Sequence, residues 1–100
     1  MLERKGHQVT IFTEEEDAIN YVDSNEVDLA ILDIKLKKLS GVQVLEELKK
    51  RSPSLRVLML TGYPRIETAR ECLELGAGEY CVKPIDKDEL EEKVDQLLQS

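Results

Sequence analysis

No apolar stretch in these 100 residues approaches the roughly 20 needed to cross a bilayer, and no apolar segment follows the opening MLERKG to make a signal peptide. Both absences point to a soluble chain without a membrane partner, and the cysteine usage points to a cytoplasmic one. There are only two cysteines, Cys72 and Cys81, in apolar settings, with no CxxC and no histidine cluster. That excludes a disulfide framework and a zinc site and leaves reduced core thiols. Basic charge is also scarce: the net charge is -7 and the pI about 4.7. Phosphate binding needs a concentrated basic face, so nucleic acid is excluded as a direct partner. No glycine-rich phosphate loop follows a strand, which argues against a nucleotide or flavin binder. Linkers and low-complexity tracts are missing too, so residues 1–100 read as one domain. A chain of this size buries only about two-thirds of its unfolded surface and has little stability to spare.

What is present is an alternation of two kinds of segment punctuated by Gly, Pro, Ser and Asp. QVTIF, residues 8–12, is a β-rich run. Thr13-Glu-Glu-Glu16 reads as a capping box opening a helix to about Ser24, with Ala18, Ile19 and Val22 inward. DLAILDI, residues 28–34, is a continuous apolar run of the kind a parallel strand covered on both faces requires. A helix from Gly41 to Arg51 follows, with Val42, Leu45 and Leu48 at helical spacing. RVLML, residues 56–60, leads through a Gly-Tyr-Pro turn to a helix from about Arg65 to Leu75, with Ile66, Ala69 and Leu73 on one face and Gly76 as its cap. The last unit is EYCV, residues 79–82, then Lys83-Pro84 and a helix capped by Asp86, with Glu89 at its third position and Leu90, Val94, Leu97 and Leu98 in one stripe. The order βαβαβαβα implies a parallel sheet with helices on both faces.

Ligands of such sheets bind outside the carboxyl ends of the strands. Asp33, Thr61 and Lys83 each lie at or just after such an end and should converge on one edge. A carboxylate, a hydroxyl and an ammonium brought together can accept a phosphoryl group, with Asp33 as nucleophile, Lys83 pairing with one phosphoryl oxygen and Thr61 donating to another. A divalent cation would offset the charge. Taken singly, each has a plainer role: Asp33 and Thr61 as turn residues, Lys83 as a solvated lysine. The Lys83-Pro84 bond is a candidate cis peptide, which would fix a turn.

LAILDIKL, LSG, VLMLTGY and ELGAGEYCVKP, with the spacing between them, resemble the receiver domain of two-component response regulators over nearly the whole chain. The resemblance implies a flavodoxin-like α/β fold and a phosphoacceptor signalling module rather than an enzyme. It implies Asp33 as phosphoacceptor, Thr61 as switch hydroxyl, Lys83 as the family's lysine, and Tyr80 as the aromatic that turns inward on activation. Mg2+ would bind through Asp33 and the backbone carbonyl of Lys35. The implied partners are a sensor histidine kinase and an output domain or downstream protein.

Two departures follow. Lys37 stands where the family usually has proline. The family's first strand, with its metal-binding acidic pair, is missing, and MLERKG looks like only the end of the first helix. Four strands and four helices are expected. Glu14, Glu15 and Glu16, read as a solvated first turn, do not replace the pair, so Mg2+ binding should be weak or absent. In the family's strand order, 2-1-3-4-5, the missing strand lies between QVTIF and DLAILDI. Either QVTIF closes against DLAILDI or it pairs with another copy, and a homo-oligomer through the unpaired edges, favoured by apolar surface beside the last helix, is expected. A second functional reading is a non-phosphorylatable interaction module of the same fold. An aspartyl phosphohydrolase would need a second acid where Lys35 stands.

Overall fold

Continuous apolar runs become parallel strands, and each is followed by a helix. The computed structural model describes residues 2–4, 6–33, 41–62 and 65–99. In chain order they form β1 (Leu2–Arg4), β2 (His7–Phe12), α1 (Glu15–Ser24), β3 (Leu29–Asp33), α2 (Gly41–Arg51), β4 (Arg56–Thr61), α3 (Ile66–Glu74), β5 (Glu79–Val82) and α4 (Lys87–Leu98). The sheet order is β1-β2-β3-β4-β5. β2 to β5 are mutually parallel, and β1 is antiparallel to β2.

Two expectations change here. Leu2–Arg4 is a short edge strand rather than the end of a helix, because Arg4 and Leu2 pair with His7 and Val9. The gap beside β3 does not exist either: Val9 pairs with Leu29 and Phe12 with Leu32, so β2 fills that place. Of the two ways to satisfy those backbone groups, the chain takes the one within itself. The unpaired inner edge from which self-association was argued is therefore closed.

Alternation along the strands sends apolar side chains to both faces. On one face Phe12, Ala30, Leu32, Val57 and Met59 pack with Ala18, Val44, Leu45, Leu48 and Cys72, so α1, α2 and α3 cover it. On the other, Val9, Leu29, Ile31, Leu58, Leu60 and Cys81 pack with Val94, flanked by Leu90, Leu97 and Leu98. There α4 is the only helix in the cluster among the described residues. Even so, Leu29, Ile31 and Leu58 are fully buried. On this face Ile11 of β2 is 43% exposed, and Ile85, Leu90, Leu97 and Leu98 are only partly buried.

Local signals explain the helix ends. Asp86 accepts a hydrogen bond from the Asp88 backbone N–H at 3.3 Å and caps α4 as expected. At the end of α3, Gly76 adopts φ 103°, and the N–H groups of Gly76 and Ala77 donate to the carbonyls of Leu73 and Cys72. This is a Schellman closure, for which glycine is favoured because that conformation crowds a Cβ. The Lys49 side chain, whose Nζ donates to the carbonyls of Pro53 and Leu55, lies against this turn, with Cε 3.0 Å from where a Gly76 Cβ would sit.

The remaining differences concern facing. α1 begins after Glu14, whose side chain caps nothing, so Thr13 does not form the expected box. Glu15 is buried rather than solvated, because it lies one turn before the buried Ala18. In α3 the buried residue is Cys72, whereas Ile66 and Leu73, assigned inward, are 78% and 52% exposed. At 3.6 residues per turn they sit about a third of a turn away from Cys72. Cys72 and Cys81 are free and buried. Burial, followed by the neighbouring Glu71, pushes the Cys72 thiol up to about 11, and burial likewise raises that of Cys81.

Candidate functional site

β3, β4 and β5 run parallel and in register, so their carboxyl ends share one edge of the sheet. Asp33 closes β3, opposite Leu60, and Thr61 closes β4, opposite Val82. Lys83 is the next residue after β5. Side-chain alternation puts Asp33 on the same side as Leu29 and Ile31, and Lys83 on the same side as Cys81. The two therefore meet: Lys83 Nζ lies 2.5 Å from Asp33 Oδ2. Their side chains are 33% and 15% exposed, a partly desolvated pair. Thr61 has the opposite parity and is only 2% exposed. It joins the pair through the main chain, its carbonyl accepting the Lys83 N–H at 2.7 Å.

The Lys83-Pro84 peptide is cis, as its position suggested. Tyr80 packs half-buried against the cluster under α1, α2 and α3, and its hydroxyl is buried without a hydrogen-bond partner. Lys35 and Lys37 lie outside the described residues, as does most of the Gly-Tyr-Pro turn.

Sequence reasoning missed two buried polar groups. Glu15 Oε2 and Thr10 Oγ1 are both enclosed without a hydrogen-bond partner. The periodicity that selected Ala18 and Val22 also selects Glu15, three residues before Ala18, so that signal was available. At the opposite end of the sheet, a cleft of about 520 Å3 is lined by Asp23, Glu26, Asp28, Arg51 and several serines. Arg51 there is already committed to Asp23 at 2.5 Å and to Glu47 at 3.4 Å.

A profile of the response regulator receiver domain matches residues 1–95. The chain belongs to that family. The transcriptional regulatory protein ZraR of Salmonella typhimurium is 32% identical to this receiver domain over 93 residues, 93% of the chain and 21% of ZraR. The two-component response regulator PhoP of Pseudomonas aeruginosa is 34% identical over 97 residues, 97% of the chain and 43% of that protein. The receiver domain thus spans about a fifth of the length of the ZraR proteins it matches. Among solved structures, the signal receiver domain of an HD domain-containing protein from Pseudomonas fluorescens superposes with a TM-score of 0.87 at 21% identity, covering 93% of this chain and 94% of that one. A CheY-like receiver domain from Methanospirillum hungatei gives 0.82 at 24% identity, covering 93% and 94%. These likenesses bear out the flavodoxin-like α/β fold with four parallel strands and four helices, to which β1 adds a short antiparallel edge.

Mg2+ is typical of the family. The side-chain donor set of the described residues does not fit it. Among the described residues no group of three Asp, Glu, His or Cys side chains is placed to hold an ion. Residues 34–40 and 63–64, which follow Asp33 and Thr61 in sequence, contain none of those residue types. No described helix is long and apolar enough to cross a membrane.

Proposed function

We propose that Asp33 accepts a phosphoryl group from the phosphohistidine of a sensor histidine kinase, and that the face made by α3, β5 and α4 carries the response to an output domain or downstream protein. The contact between Asp33 and Lys83 beneath the carboxyl ends of the strands carries this reading. An Asp33 carboxylate oxygen attacks phosphorus, a P–O bond forms, and the P–N bond of the donor breaks. The departing imidazole takes up a proton from water. Lys83 exchanges its carboxylate partner for a phosphoryl oxygen, and Thr61 supplies a hydroxyl at the same edge. Tyr80, whose hydroxyl has no hydrogen-bond partner, lies on the strand between that edge and α3. The exposed apolar side chains Ile66, Leu73 and Val82 mark the same face, which is also where any homo-oligomer would form.

The test is incubation with phosphoramidate, a small donor with a P–N bond, followed by mass spectrometry. One added phosphoryl group is expected on Asp33, formed slowly because several charge-offsetting ligands are lacking, and absent from Asp33→Asn. Failure of Asp33 to gain a phosphoryl group from phosphoramidate or from a phosphorylated histidine kinase would overturn the proposal.

A further inference from the structure

We draw no further inference here: the strongest candidate, the apolar surface patch around Ile11 of β2 beside α4, carries nothing, because nothing in the structure shows what covers it.

Discussion

Among the described residues, one face of the sheet is covered by three helices and the other by a single helix, yet both bury their central side chains completely. Ala30, Leu32, Val57 and Met59 under α1, α2 and α3 are no better hidden than Leu29, Ile31 and Leu58 on the side of α4. The difference lies in redundancy. Losing one helix from the first face leaves two in place, whereas losing α4 uncovers the second. α4 also approaches the sheet closely, since a Cβ on Gly78 would fall 2.5 Å from Leu97 Cδ2. Stability on this side therefore rests on a few contacts, and the carboxylate and lysine of the site project from the same side.

Placing a carboxylate under each face should break the comparison most visibly. Val94→Asp puts an unpaired charge at a position 1% exposed in α4 and should cost on the order of 4 kcal/mol, a large part of the roughly 5 to 15 kcal/mol a domain has. Val44→Asp does the same to one of three helices and should cost less. Urea melts of the two variants measure the difference, and equal midpoints would remove the argument from redundancy. A gentler probe is Gly78→Ala, expected to cost about 1 to 2 kcal/mol because Leu97 must turn aside to admit the methyl group. Hydrogen exchange should then speed up in α4 and remain unchanged in α1 and α2.

Alkaline pH tests the two faces together, because Cys72 lies under the three helices and Cys81 on the side of α4. A thiol whose folded pKa is raised contributes stability that is fully present below its ordinary value near 9.0 and is lost as pH rises through its folded value. For Cys72 that window runs from 9.0 to about 11. Thermal melts across it should fall with pH, and Cys72→Ala should flatten the slope. The smallest effect is expected at Ile11→Lys. With Ile11 at 43% exposure on a closed sheet, the change should stay within about 0.5 kcal/mol and leave the sedimentation coefficient unchanged.

Much of this architecture was legible before any coordinates. Apolar runs such as LAIL and VLML mark buried parallel strands because only a strand covered on both faces tolerates them, and the residues just after those runs mark the site. Asp86 and Gly76 were readable because caps are local chemistry. What escaped was decided at longer range. Whether β2 pairs with β3 depends on which neighbour is available, and no propensity within QVTIF encodes that. The pairing of Leu2–Arg4 with β2 is likewise set by the hairpin rather than by its three residues. Ile66 and Leu73 fit the helical period, but so does a face centred on Cys72, and it is Cys72 that packs against the sheet. Glu15 is buried because its position one turn before Ala18 outweighs what its charge implies.

The strand order also shapes how the chain can fold. Every strand lies beside its sequence neighbour, so each parallel pairing closes the loop of a single βα unit and no strand must be threaded between two already placed. A growing sheet of this kind extends only at its edges, with no parallel closure longer than one βα unit, which keeps its contact order below that of a sheet in which a strand is inserted between two others.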